Sequence, residues 1–240
     1  MRYGKLLLCL TPLLAVASCA DDGITDLGSP PPAASVRFIN AGVDTGTVDL
    51  GFIDRVENLP TMKGVEFRST SGFYQRVGHG TRATRVFPSS SDIALTSIEL
   101  VASDLDLAAN QRYTLVYAGR AAADASADEA HRLAVLTDPA ADALPTPGAD
   151  QIAVQALHVA VGIGAVDVHI VPVNSATAPT PPDWQTTRVG MLSNVPFLER
   201  ATAYVTVPAR SSESGSLYHF IVTAAGTTDI LFAATPNQPG

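Results

Sequence analysis

Residues 36–52, VRFINAGVDTGTVDLGF, align without a gap with residues 154–170, VQALHVAVGIGAVDVHI. Val36/Val154, Val43/Val161, Gly46/Gly164, Val48/Val166 and Asp49/Asp167 are identical pairs at one constant offset. Further on, Tyr74 and Val77 recur as Tyr204 and Val207 at a longer offset, and the Pro-rich stretch from Asn174 to Gln185 supplies the added length. Ser91-Asp92-Ile93 is then echoed by Thr228-Asp229-Ile230. A chain that repeats itself in this way is built from two units of one kind.

The unit is a β unit. From residue 35 onward, short runs rich in Val, Ile, Thr, Tyr and Phe alternate with clusters of Gly, Pro, Asp, Asn and Ser, which is the pattern of strands and turns. Turn signals every 8–12 residues or so predict sandwiches. The expected fold is all-β, two tandem Ig-like or transthyretin-like antiparallel β-sandwich units, the second short at its C-terminus. The expected boundaries are a signal peptide over 1–18, a flexible tether over 19–34, a first repeat over 35–138, a linker over 139–150 and a second repeat over 151–240. The apolar stretch Ile152 to Val173 carries Gln155, His158, Asp167, His169 and two glycines, so it reads as two strands and a turn rather than a membrane span. Val166, Val168 and Ile170 are expected to face one way, Asp167 and His169 the other.

After Ile93 the first copy continues with two further runs of strand composition, Ile98 to Val101 and Arg112 to Ala118. After Ile230 the second copy has ten residues, ending Thr-Pro-Asn-Gln-Pro-Gly, which cannot form that pair. An open sheet edge beside Ile230 to Ala233 follows, with the first copy expected to pack over it.

The N-terminus gives an address. Arg2 and Lys5 precede the largely apolar run Leu6 to Ala17, and Val16-Ala17-Ser18-Cys19 closes it. This looks like the lipobox of bacterial lipoproteins, with cleavage between Ser18 and Cys19 and a diacylglyceryl group on the Cys19 thiol. Each methylene buried in the bilayer contributes about 0.8 kcal/mol. The expected location is the cell envelope, with the outer membrane favoured where there are two, because Ala20 rather than Asp follows Cys19. Polar and Pro-rich residues to Pro32 have spacer composition.

Asn40-Ala41 followed by Val48-Asp49-Leu50 resembles the "NASPDAPAVDVYV" opening of the bacterial domain-of-unknown-function family 4397. His158 with Val166-Asp167-Val168 is similar to its "HASPDAPAVDVYV" form. Leu107-Ala108-Ala109-Asn110-Gln111-Arg112-Tyr113-Thr114-Leu115 resembles the family's "L-x-A-G-x-x-Y-T-V" hairpin, with Asn110 in place of the Gly. The Ser-Pro-Asp-Ala-Pro loop is absent from both copies. The resemblance extends over nearly all of 35–240 in two copies. It implies a surface-exposed β-sandwich, often in lipoproteins, and no particular activity.

Charge and cysteine content limit the function. Without residues 1–18 the chain has 13 basic and 23 acidic residues, a balance that repels nucleic acid. Both cysteines, Cys9 and Cys19, lie in the first twenty residues, which excludes a disulfide framework and a cysteine zinc site from the folded part. No metal or cofactor is expected. Asp44-Thr45-Gly46 has the triplet of aspartic proteases, but Gly162-Ile163-Gly164 in the second copy supplies no partner carboxylate. His79, His131, His158, His169 and His219 have no close metal-ligand spacing. The recurring Asp49 and Asp167 suit turn-capping better than ligand or calcium binding. Trp184, in the Pro-rich insertion, is the expected exposed contact for a glycan or protein. The expected function is a membrane-anchored, non-catalytic binding, adhesion or structural module of the envelope. The alternative is an envelope hydrolase assembled in space from Asp44, Asp49, Asp167, His158 and His169.

Overall fold

The computed structural model describes residues 31–54, 61–92, 98–174, 180–210 and 217–234. Cys19 and the tether up to residue 30, and Ile93 of the Ser-Asp-Ile echo, lie outside the described residues. By contacts the chain divides into Met1–Pro31 and Pro32–Gly240, and only the second unit is described below.

Strand β1 (Ala33–Gly42) shows how sequence sets the architecture. Ala34, Val36, Phe38 and Asn40 alternate with partly exposed residues, so one face of the strand is buried deeply. β1 pairs antiparallel with β4 (Ser69–Thr70) and β5 (Gln75–Gly78) on one side. On its other side lies β8 (Arg112–Gly119), which in turn pairs with β9 (Arg132–Asp138). The β1–β8 pairing is parallel, the one departure from the expected antiparallel pattern among the described pairs. The facing sheet has the order β3 (Met62–Val65), β2 (Val48–Phe52), β6 (Gly80–Pro88), β7 (Val101–Leu107). Between the two sheets Val36, Phe38, Leu50, Phe52, Val86, Leu115 and Tyr117 form a closed core. Burying each large side chain there contributes about 1.5–3 kcal/mol relative to exposure. The turn before β8 places Asn110 at φ 62, where the resembled family has Gly. Asn tolerates this left-handed conformation better than other residues with a Cβ.

The second half repeats this plan in part. β10 (Gln151–Val154) pairs with β13 (Val205–Pro208), and the facing sheet runs β12 (Gly190–Val195), β11 (Val166–Val173), β14 (Leu217–Ala224), β15 (Ile230–Ala234). That order matches β3–β2–β6–β7 strand for strand. Among the described residues no strand stands where β8 and β9 stand in the first half, so β10 has no second neighbour.

Two expectations need correction. The strand expected at Ile98 to Val101 lies further on, as β7. β11 does turn Val166, Val168 and Ile170 one way, toward β10 and β13, and Asp167 and His169 the other, and Asp167 and His169 are buried as well as Val166 and Ile170. Trp184, expected to be exposed, is 4% exposed. It opens the single-turn helix α1 (Trp184–Thr187) and packs on Val171 and Ile221. Trp184 therefore covers part of the outer face of the second large sheet.

Candidate functional site

The recurring residues of the two copies hold turns. Asp49 accepts the Gly64 N–H at 2.6 Å, and Asp167 accepts the Asn194 N–H at 2.7 Å. Gly64 and Asn194 both have positive φ and lie within β3 and β12 where the pairing shifts register, so each Asp fixes the same bulge in the neighbouring strand. Asp167 also accepts the Gly226 N–H at 2.8 Å. Asn40 and His158 are a second equivalent pair. The Asn40 amide donates to the Gly46 carbonyl at 2.7 Å and its oxygen accepts the Gly42 N–H at 3.1 Å. His158 Nε2 lies 3.0 Å from the Gly164 carbonyl, and Nδ1 accepts the Ala160 N–H at 3.3 Å. Imidazole with its proton on Nε2 offers the same donor and acceptor as a carboxamide, which accounts for Asn and His at one motif position.

The other candidates are engaged separately. Asp44 accepts the N–H groups of Ala121 and Ala122 at 2.8 and 2.9 Å. Burial pushes its carboxyl up, but those N–H groups outweigh it and hold the pKa below the ordinary value. His169 stacks on Trp184, with Nε2 3.2 Å from the Thr223 hydroxyl and Nδ1 3.0 Å from the Arg188 guanidinium. Burial and the Arg188 charge lower its pKa, although Asp167 acts the other way. No hydrogen bond among the described residues joins any two of Asp44, Asp49, Asp167, His158 and His169. Nor do three or more His, Cys, Asp or Glu side chains there form a group that could hold a metal ion.

Two concave surfaces remain. The first lies on the seam between the halves. There the outer faces of β1, β8 and β9 meet the loops beside β10 through Ile39, Val116, Leu136, Leu157 and Leu198. At one end of this seam is a cleft of about 210 Å³ lined by Arg37, Tyr74, Arg112, Asp138, Gln155, Arg200 and Tyr204, among others. Arg37 and Gln155 occupy equivalent positions in the two copies, and so do Tyr74 and Tyr204. Asp138 is buried and saturated: it pairs with Arg200, accepts Tyr74 Oη–H at 2.5 Å and takes the Thr114 hydroxyl at 2.8 Å. Burial, reinforced by that carboxylate, raises the pKa of Tyr74.

The second surface is the inner face of the second half. A cavity of about 350 Å³ is lined by Ala156, Leu157, His158, Val166, Val168, Val222, Leu231 and Phe232, among others. In the first half the same place is filled by Phe38, the counterpart of Ala156, and by Leu115 and Tyr117 of β8. Phe232 of the edge strand β15 is 57% exposed, and Ile230 and Leu231 are also exposed. β15 ends its sheet as β7 does in the first half, so the missing hairpin does not open the edge expected at Ile230 to Ala233; it leaves β10 without a second neighbour, and among the described residues the first copy does not cover β15. The first copy packs instead on the 156–159 and 197–200 segments, at the seam.

The fold and these surfaces define a β-sandwich protein whose polar signature residues fix turns. Residues 33–169 match the family model of DUF4397, a domain of unknown function. The chain belongs to that family. The match takes in β1 to β10 and the first four residues of β11. No curated protein matches the chain.

Sequence reasoning singled out Tyr204 only as a repeat position and missed Arg37, Arg112 and Arg200. The repeat alignment held the signal, since two of its equivalent pairs face each other across the seam.

Proposed function

We propose that this chain is a lipid-anchored, non-catalytic binding module of the bacterial envelope. It consists of two tandem copies of the family domain, and an extended strand from a partner protein completes the second. The observation that carries the binding reading is the apolar cavity at the place where the first half seats β8. An added strand running parallel to β10 would pair with the edge that β10 leaves open among the described residues, a recognition mode that uses main-chain bonds for affinity. Alternate apolar side chains of that strand would cover Val168, Val222 and Phe232, as Leu115 and Tyr117 cover Leu50 and Val86. The anchor reading rests on Val16-Ala17-Ser18-Cys19 and the spacer after it. A hydrolase would need two of its five candidate residues within hydrogen-bond reach in one cleft. Nothing in their arrangement favours it.

A synthetic peptide with the sequence of residues 111–119 serves as the probe strand. Added to the full-length protein in detergent, it is expected to bind saturably and raise the melting temperature. Ala156→Phe, which refills the cavity from within, is expected to abolish that binding. No binding to the natural sequence, or equal binding to the variant, overturns the reading. A fatty-acid probe is expected to label the natural protein and not Cys19→Ala; an unlabelled natural protein removes the anchor.

A further inference from the structure

We infer that the seam cleft between the halves is a binding site for a carboxylated sugar, a uronic acid unit of an acidic glycan. This does not depend on the strand-binding groove, which lies on the other side of the β10 segment. Charge is the first argument. In a chain with 15 basic and 23 acidic residues, three arginines line this cleft against one carboxylate. Asp138 is already paired with Arg200. Arg37 spends its Nε–H on the Thr114 hydroxyl at 2.8 Å. Arg112 lays its guanidinium on the Tyr74 ring, 4.1 Å from the centroid, and Arg37 lies 5.1 Å from the same centroid. Among the described residues no carboxylate pairs with either. The two arginines sit on one face of neighbouring strands, since Ser35 is opposite Arg112 and Arg37 is opposite Thr114.

Preorganisation is the second argument. Guanidinium forks match carboxylate geometry, and stacking on a ring fixes them in advance while leaving their N–H edges free. Tyr74 is itself fixed by its bond to buried Asp138. The cations are thus held by the interface and do not have to be ordered by the ligand.

Size and neutral groups are the third. A cleft of about 210 Å³ is several times the roughly 30 Å³ share of one water, so it takes more than a bare ion. Tyr204 adds a hydroxyl. Gln155, its amide nitrogen fixed on the Ala201 carbonyl at 2.9 Å, adds an acceptor. Cations beside neutral hydrogen-bonding groups suit a carboxylate on a polyhydroxylated ring.

The test is titration of the full-length detergent-solubilised protein with sodium D-glucuronate, D-glucose and sodium phosphate at constant ionic strength, followed by calorimetry or NMR. Glucuronate is expected to bind saturably and at least tenfold more tightly than glucose or phosphate. Arg112→Gln and Arg37→Gln are each expected to weaken glucuronate at least tenfold, and Arg85→Gln, on β6 beside Glu99, is expected to leave it unchanged. Melting curves identify any variant that fails to fold, and Tyr204→Phe, which removes one hydroxyl, then stands in with an expected loss of severalfold. Equal binding of phosphate makes this a plain anion site and overturns the sugar assignment. Tighter binding of a hexaglutamate peptide does the same in favour of an acidic protein. No saturable glucuronate binding, or full binding in the arginine variants, overturns the site itself.

Discussion

Asp49 and Asp167 do the same work at equivalent positions: each carboxylate accepts the N–H of a positive-φ bulge residue in the neighbouring strand. The second does more of it, because Gly226 also donates to Asp167. Removing a buried acceptor leaves each donor unsatisfied at about 1–3 kcal/mol. Asp167→Ala is therefore expected to lower unfolding stability more than Asp49→Ala, by about 1 kcal/mol or more in urea titrations. His169 and His219 set a pH dependence. Burial lowers both pKa values, with Arg188 assisting at His169. A histidine whose folded pKa lies below its unfolded value of about 6.5 leaves the unfolded chain binding more protons in acid. Its stability contribution is fully present above the unfolded pKa and declines as pH falls below it. Melting temperature is expected to drop between pH 7 and pH 5, and His169→Gln is expected to flatten that slope. A slope unchanged in the variant would assign the effect to other groups.

At the scale of elements, the short helix α1 between β11 and β12 converts part of an outer sheet face into a second small core. Trp184 closes it over Val171, Ile221 and the His169 ring, whose centroid lies 4.6 Å from that of the indole. Trp184→Ala is expected to cost about 3–5 kcal/mol, the range for truncating a large buried aromatic. A change below about 0.5 kcal/mol, the usual size at exposed sites, would mean that the indole is not part of this core. The β8–β9 hairpin has the opposite significance. Where it is present, in the first half, the core is closed; in the second half no counterpart stands among the described residues, and an apolar cavity lies beside residues 156–160.

At the scale of the molecule, the halves join where the outer face of β1, β8 and β9 meets the 156–159 and 197–200 segments. The Arg200–Asp138 ion pair crosses that seam with both side chains largely buried. Breaking a buried pair from one side leaves an uncompensated charge, at about 3–5 kcal/mol. Arg200→Met is expected to destabilise by that order, and Arg200→Met with Asp138→Asn is expected to recover part of it. Chemical denaturation of the three variants measures the coupling. An additive double variant would show that the pair does not act as a unit.

What the sequence determined by itself was local and periodic. Alternation in β1, turn residues at regular spacing and the gap-free repeat specify strands, their order and the all-β class, because strand faces and turn chemistry are properties of a few adjacent residues. The structural role of Asp49 and Asp167 was legible for the same reason, since recurrence at one motif position points to a turn common to both copies. Burial of Trp184 was not legible. Its cover depends on residues more than ten positions away in β11 and nearly forty away in β14, and a Pro-rich insertion reads the same whether it folds back or projects. The arginine cleft was not legible either. Arg37, Arg112 and Arg200 are scattered in the chain, and only the parallel β1–β8 pairing and the packing of its outer face on the second half bring their charges to one place.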